Sequence, residues 1–452
     1  MLLAALALLR RARATFYNPS MSAAPPSPEL PSYEEAAARV ATYATAMAGL
    51  LRATERVDLG SAWGRVLAQS ILADSDQPPF TRSTRDGFAC RATEASAHGA
   101  LTLAGASRAG NAPAGPLPLG AAWEIMTGAP VPEGADAVMM IEHVEAAGGK
   151  VRLLPPRTLK PGENIVAKGA QARAGAALLD AGSVIRSQQV ALAATSGYPV
   201  VDVYKRPRVA ILATGDELVP VEAKPGPGQI RNSNAPMLAA MVAASGGEPW
   251  ILPRAADTAE ALDAALAQAI EADMMLFSGG VSAGKFDLVE PALARIGARF
   301  HFTGVKIQPG KPLVFGELPP EESSDGVGRP LRPFFGLPGN PISSAVTFLL
   351  FAAPVLAALG GSTEPVPPFA LARLSVASDK HGKPGLTRFL PAHCTFGAVT
   401  RDTAGAIPEV ALVPWHGSGD LAALARSNCF LVIPDGAHRL EAGEMVRILL
   451  AS

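Results

Sequence analysis

Residues 210–218 read AILATGDEL, an apolar run that ends in a Thr-Gly turn and two adjacent carboxylates, Asp216 and Glu217. A strand that stops on small residues exposes backbone N–H groups, and such groups attract anions, phosphate above all. Carboxylates repel phosphate, so a ligand that wants both implies a cation between them. Two more stretches have related chemistry, SGGVSAGKFD at 278–287 and GLPGNPISS at 336–344. In the first, Gly279, Gly280 and Gly284 let the backbone approach a ligand closely, Ser278 and Ser282 are candidate substrate-binding residues beside them, and Asp287 stands where a helix begins, as a cap or as a metal ligand. In the second, Pro338, Gly339, Asn340 and Pro341 turn into a helix whose first turn carries Ser343 and Ser344; an ordinary N-cap explains most of this. Thr214, Gly215 and Asp216 complete the small-residue turn of the first stretch, where turn formation and helix capping compete with ligand binding for both Asp216 and Glu217. Lys311, in QPGKP, adds a cation for phosphate, and Glu217 with Asp287 can hold a Mg²⁺ that bridges phosphate oxygens.

These stretches need a scaffold that brings them together. From Pro207 the sequence alternates apolar runs (RVAILAT, PWILP, DMMLFSGG, PFFGLPG) with helical patterns (APMLAAMVAASGG, TAEALDAALAQAIEA, DLVEPALARIG, PISSAVTFLLFAAPVLAAL). That alternation predicts a parallel α/β sheet, in which ligands bind at the carboxyl ends of the strands. All three stretches follow predicted strands and should meet at one edge. ELPPEESSDGVGRPLRP, at 317–333, reads as a polar loop between two strands, and short strands return after Gly361 to form a C-terminal β domain.

Upstream, SAAPPSPELPS (22–32) is a Pro/Ser linker, so order is expected to begin near Ser32. Helical patterns follow over Tyr33 to about Leu51 and near Ala62 to Ala73. Residues 77–168 combine Gly, Pro and short apolar runs into a small β-rich domain, and 169–205 read as short strands plus one helix. STRDGFAC (83–90) and IMTGAPVPEGADAVMMIE (125–142) read alone as turn formers, so no role for Asp86 or Thr127 follows from spacing.

With 41 Pro and 44 Gly in 452 residues, the chain is expected to form three or four compact units. Its 39 Lys plus Arg nearly balance 40 Asp plus Glu, so no basic field recruits nucleic acid or anionic membrane, and a small-molecule substrate is the better reading. Cys90, Cys394 and Cys429 form no CxxC, and the seven histidines form no HxxxH pair. A disulfide framework and a zinc cluster are therefore unsupported, and a reducing, cytoplasmic setting fits. The opening MLLAALALLRRARATF puts apolar residues ahead of its arginines, unlike a secretory signal, and reads as an untranslated or disordered extension with Met21 a plausible start. The apolar stretch Ala345 to Leu359 carries Pro354 and is short for a bilayer, so it reads as a buried helix.

Taken in order, RDGFA, IMTGAPVPEGADAV, GENI, ATGDEL, SGGVSAGKFD, PGKPLVFG, GLPGNPIS and ARSNCFLVIP…LEAGEMV make the chain resemble the MoeA family of molybdopterin molybdenumtransferases, which includes the E domain of gephyrin, across residues 32–452. The resemblance implies a multidomain α/β plus β chain, elongated and homodimeric: a disordered 1–31; domain I from 32–75 and 168–205; an inserted β-rich domain II at 76–167; a central parallel α/β pterin-binding domain III at 206–361; and a C-terminal β-barrel-like domain IV at 362–452. It implies insertion of molybdate into adenylylated molybdopterin with Mg²⁺-dependent release of AMP, between a separate adenylyltransferase and molybdoenzyme acceptors. Catalytic positions carry over to Asp86, Thr127, Glu217 and Asp287, and more loosely to Asp257, with Asp86 and Thr127 reaching the pterin cleft of the partner subunit. The metal would sit on Glu217 and Asp287. Molybdate needs its own donors, for which the PGNP amides, Lys306, Lys311 and Ser418 are candidates.

Two departures stand out: Gln171 (GAQ) where the family commonly has Gly-Glu-Asp, and Pro391 (RFLP) where it commonly has an arginine. They leave room for a pterin-binding scaffold without catalysis. An adenylyltransferase-like activity is a further alternative, disfavoured by the flanking β regions and by MTGAPVPEG.

Overall fold

A computed structural model describes residues 29–48, 53–111, 115–280, 288–320, 331–363, 365–378, 382–395, 407–436 and 439–451. Residues 1–28 of the predicted 1–31 extension, the middle of the predicted loop at 321–330, and Ser282, Gly284 and Asp287 lie outside the described residues. The chain divides into two compact units, one of Glu55–Val203 and one of Met1–Thr54 with Tyr204–Ser452.

The unit 55–203 is built on a six-stranded sheet of β1 (Gly87–Cys90), β2 (Leu101–Ser107), β3 (Ala121–Ile125), β4 (Ala137–Met140), β5 (Val144–Ala147) and β6 (Lys150–Leu153), in the order β4-β1-β3-β2-β6-β5. Strand β6, which pairs with both β2 and β5, buries alternate residues, with Val151 and Leu153 buried and Lys150 and Arg152 exposed, whereas β1 is buried along its whole length. Phe88, Cys90, Met139, Val151 and Leu153 fill one core. The helix predicted over Ala62 to Ala73 is absent. Gly64 takes φ +75°, Ile71–Leu72 is a short strand, and the N–H groups of Leu67 and Ala68 donate to Ser183 (3.0 Å) and Asp202 (2.9 Å) rather than back along the chain. Long-range pairing thus outweighs a weak local helical pattern. A helix does form at Ser187–Thr195.

In the second unit, helix α1 (Tyr33–Ala48) begins with a reciprocal capping box: Glu35 N–H donates to Ser32 Oγ (3.2 Å) and Ser32 N–H to Glu35 Oε2 (2.9 Å). Its apolar stripe Tyr33, Ala36, Val40, Ala44 and Met47 is buried, with the Tyr33 ring edge-on to Phe389 at 5.3 Å. The central sheet comprises β7 (Arg208–Ala213), β8 (Glu248–Ile251), β9 (Met274–Ser278), β10 (Arg299–Phe302), β12 (Val314–Leu318) and β13 (Arg332–Leu337), ordered β8-β7-β9-β13-β12-β10. The four strands β8, β7, β9 and β13 are parallel, and β12 and β10 add an antiparallel edge. Strands β9 and β13 are buried along their whole length, which is why they read as continuous apolar runs. The connecting helices include α2 (Asn234–Ala244), α3 (Ala259–Ala269), α4 (Val289–Arg295) and α5 (Pro341–Thr347). The helical run Pro341–Leu359 is long and apolar enough to cross a membrane by composition, yet 83% of it is buried inside the fold.

The C-terminal sheet contains β14 (Phe369–Leu374), β15 (Thr387–Thr395), β16 (Glu409–Leu412), β17 (Cys429–Ile433) and β18 (Met445–Leu450). Their order β15-β16-β14-β18-β17 closes through a β15–β17 pairing into a small barrel, and β11 (Ile307–Gln308) joins it in parallel with β15. The three cysteines are free and buried; burial pushes the Cys90 and Cys429 thiols up to about 12, so neither is a thiolate nucleophile at neutral pH.

Candidate active site

The three stretches singled out in the sequence follow β7, β9 and β13, which are adjacent and parallel, so their carboxyl ends lie side by side. Thr214 continues β7: its N–H donates to Ser278 O (3.1 Å), and it bridges to Ala255. Gly279 and Gly280 follow β9 with φ of +87° and +65°, and they pack directly on Thr214; a Cβ on Gly280 would come within 2.6 Å of Thr214 Oγ1. Gly279 N–H donates to Leu337 O (3.2 Å), so this amide is committed to the fold. A Cβ on Gly339 would lie 3.7 Å from Gly279 Cα, which brings the third loop against the second.

At the first loop the two carboxylates part company. Asp216 is held within the turn: its N–H donates to Asp257 Oδ2 (3.2 Å), its Oδ1 accepts from Asp257 N–H (3.3 Å), and Arg254 Nη1 reaches both Asp216 Oδ1 (3.4 Å) and Gly215 O (3.1 Å). Asp216 and Asp257 therefore fix each other's backbones. Glu217 is exposed and folds over Gly215, where a Cβ would fall 2.5 Å from Glu217 Oε2. Thr214, Asp257, Leu262, Gly280, Leu288 and Val289 are among the residues that line a depression beside this turn, and the buried Thr214 Oγ1 has no partner among the described residues.

Asn234, at the start of α2, was not singled out from the sequence. It is buried, and its Nδ2 donates both to Ser278 Oγ (2.9 Å) and to Gly339 O (2.7 Å). An asparagine there reads as a helix cap, but Asn232 takes that role, its Oδ1 accepting from Ala235 N–H (3.1 Å). Arg254 was missed as well, since a lone arginine after a strand carries no motif.

Lys311 and Ser418 come to the same edge. Val314 pairs with Gly336 in the antiparallel register, so the chain passes Lys311 at the carboxyl end of β13, and the Lys311 side chain is exposed. Ser418 O accepts from Ile342 N–H (3.0 Å), seating the HGSGD loop on the first turn of α5. Lys306 is engaged instead with Glu29, Nζ to Oε1 at 2.6 Å, and this bond raises the lysine above its ordinary value.

Asp86 and Thr127 belong to the other unit, where they form a corner of their own. Gly87 pairs with both Ile125 and Met140, so Asp86 lies between the ends of two neighbouring strands. Asp86 Oδ1 accepts from Thr127 N–H (2.6 Å) and its carbonyl from Ile141 N–H (3.1 Å). The Thr127 N–H, and then its hydroxyl, hold the exposed Asp86 carboxyl below the usual aspartate range. A Cβ on Gly87 would overlap the Met139 carbonyl oxygen, so RDGFA needs glycine at this point.

The departures also take definite places. Pro391 is buried in β15, paired with Phe430, and its carbonyl accepts from Val413 N–H (3.0 Å). Phe389, two residues earlier on its face, joins the core under α1, whereas Leu390 and Ala392 face the barrel core. Arg388 shares their parity rather than that of Pro391, and burial lowers it below the usual arginine value. Gln171 is exposed and donates its N–H to Gln77 O (2.8 Å).

Among the described residues no three His, Cys, Asp or Glu side chains are grouped to hold a metal. What the loop cluster does offer is an exposed oxygen donor, Glu217, beside a carboxylate pair, which suits a hard cation such as Mg²⁺; its predicted partner Asp287 lies outside the described residues.

Three family matches place this chain, with its parallel α/β domain, inserted β unit and C-terminal barrel, in the class of molybdenum cofactor biosynthesis proteins. Residues 31–197 match the MoeA N-terminal region (domains I and II), 210–358 the probable molybdopterin binding domain, and 373–451 the MoeA C-terminal region (domain IV). The molybdopterin molybdenumtransferase of a Nostoc species is 36% identical over 88% of both chains, and that of Bacillus subtilis is 34% identical over 88% of this chain and 90% of its own. The solved MoeA protein of molybdopterin biosynthesis from Pyrococcus horikoshii, 29% identical, superposes over 93% of this chain and 100% of its own with a TM-score of 0.75. The chain belongs to the molybdopterin molybdenumtransferase (MoeA) family and is an enzyme.

Proposed function

We propose that this enzyme inserts molybdate into adenylylated molybdopterin and releases AMP, yielding molybdenum cofactor. The observation that carries the reading is the convergence of Thr214, Ser278–Gly280 and Pro338–Pro341 at the ends of three adjacent parallel strands, with Lys311 and Ser418 at the same edge. Glycines at 279 and 280 let the second loop turn tightly against Thr214 at positive φ, and the exposed Lys311 supplies charge for a phosphate at this edge. Ser418 O accepts from Ile342 N–H at the start of α5, and a Cβ on Gly419 would lie 3.7 Å from Asn340 Oδ1, so an oxyanion there would find small polar groups. Asp216 and Asp257 hold the first loop in shape and leave Glu217 as the outward carboxylate. Mg²⁺, held by Glu217 with Asp287, would stabilise negative charge on the phosphate oxygens and on departing AMP. Asp86 and Thr127 act on the pterin from the partner subunit of a homodimer. The adenylylated substrate comes from a separate enzyme, the cofactor passes to molybdoenzyme acceptors, and the reduced thiols suit the cytoplasm.

The test is AMP release from adenylylated molybdopterin, with molybdate and Mg²⁺ varied separately. Release that requires both is the expected result. Binding without release would make the chain a carrier, and formation of adenylylated molybdopterin from ATP would make it an adenylyltransferase.

A further inference from the structure

We infer that Asn234 is a positioning residue that staples two of the ligand loops into one binding arrangement. Its side chain is 8% exposed, and its two N–H bonds diverge, one to Ser278 Oγ (2.9 Å) at the end of β9 and one to Gly339 O (2.7 Å) in the turn after β13. A carbonyl oxygen can only accept, so Gly339 fixes which end of the amide carries nitrogen. Both amide hydrogens are then spent on the two loops, and Oδ1 is left buried with no partner among the described residues. A buried amide with an unpaired oxygen costs stability. An apolar residue would fill the position without that cost but would join nothing.

Among the described residues, the two loops otherwise touch through glycine. Gly339 stands against Gly279, and neither has a side chain with which to hold the other; besides this contact the strand-like bond from Gly279 N–H to Leu337 O (3.2 Å) links them. Small residues that admit a ligand are thus kept in register by a side chain borrowed from α2. The inference rests on the proposed reaction for its kinetic readout alone. Without the staple, the arrangement that binds substrate becomes one of several, and apparent affinity falls by the fraction still competent. If that fraction drops to about one tenth, KM for adenylylated molybdopterin rises about tenfold, while kcat, read once the loops are in place, changes little.

Three variants of the full-length chain test this. Asn234→Ala removes both bonds, Asn234→Asp keeps the shape but turns an oxygen toward Gly339 O, and Ser278→Ala removes one acceptor. In the absence of any ligand, amide exchange over 336–342 and 277–280 should quicken in both Asn234 variants, while β8 amides keep their wild-type rates. In AMP release, Asn234→Ala should raise KM about tenfold with kcat within about threefold, Asn234→Asp should be at least as impaired, and Ser278→Ala should cost less in the Asn234→Ala background than in the wild type. Unchanged exchange in both loops, or a variant whose only change is a lower midpoint of unfolding, would overturn the staple. A wild-type chain that releases no AMP would instead sink the proposed reaction, and the exchange measurement would still decide the role of Asn234.

Discussion

The loop cluster at the carboxyl edge of the central sheet and the corner at Asp86 each set a carboxylate beside a glycine turn, but they are built in opposite ways. The cluster gathers residues from positions 214 to 418, and a buried asparagine amide ties two of its loops. The corner takes neighbours in one sheet and fixes an exposed carboxylate on a single backbone N–H at 2.6 Å. One site is therefore specified by tertiary assembly and the other by strand register. Damage should be graded in the first and abrupt in the second.

The largest effect follows directly from that contrast. Gly87→Ala sets a methyl on the Met139 carbonyl oxygen at the first pair of the β1–β4 ladder, where the clash is with backbone rather than with a movable side chain, and should cost about 3 kcal/mol of stability in urea unfolding. Gly280→Ala meets a threonine hydroxyl and a φ of +65°, and should cost nearer 1–2 kcal/mol. Equal costs would erase the distinction. Next in size, Glu217→Gln keeps the shape of the loop and removes its outward charge, so AMP release should fall about a hundredfold with folding intact. If Asp86 serves the partner's cluster, mixing Asp86→Ala with Glu217→Gln subunits should recover part of the activity; no recovery after proven subunit exchange would confine each site to one chain.

A smaller effect is expected at Thr258, next to Asp257. Its Oγ1 accepts from Ala261 N–H (3.3 Å) at the start of α3, and Thr258→Ala should cost about 1 kcal/mol in thermal unfolding. The smallest concerns proton binding at Asp86. Its carboxyl is depressed when folded, so the stability this contributes is complete above the ordinary aspartate value and is lost as pH falls through the lower folded value. Carboxyl titration by NMR should find that midpoint depressed, and Thr127→Ala, which keeps the N–H, should return only the hydroxyl's share. A midpoint at the ordinary value in the wild type would mean the corner does not hold its carboxylate.

How much of this could be read from the sequence follows the same divide. The α/β alternation and the three loops are legible because each strand carries its own apolar run and each loop its own small residues, and a parallel sheet must bring such loops to one edge. Asn234 is not legible, because its partners lie 44 and 105 residues away and a lone asparagine at a helix start looks like a cap. The split between Asp216 and Glu217 is hidden for the same reason: Asp257 and Arg254, which tie Asp216 down, are distant in sequence. The false helix at Ala62 to Ala73 shows the reverse error, a local pattern overruled by strands from around 183 and 202. Family motifs supplied the weight given to Asp86 and Thr127; turn chemistry alone would have left them as loop formers. The structure also bears on the odd proline: Pro391 is buried on the face of Phe389, so an arginine placed there would have to bury its charge, and Arg388 does not face the same way.

The strand Thr54–Asp58 pairs with Val200–Tyr204, and Lys205 N–H donates to Ala53 O (2.9 Å) just outside it. Those contacts sit at the two ends of the unit 55–203, which interrupts the other unit as an excursion of 149 residues, counted from 55 through 203. Bringing the ends of so long an unfolded excursion together costs an entropy on the order of 4 kcal/mol. If the excursion folds first, its own first and last strands bring its ends together, and α1 and β7 are then joined through a short seam. The order of folding is thereby biased: the inserted unit acts as its own clasp, and in a chain whose insertion folds late the sheet that carries the candidate site forms more slowly, across an open loop.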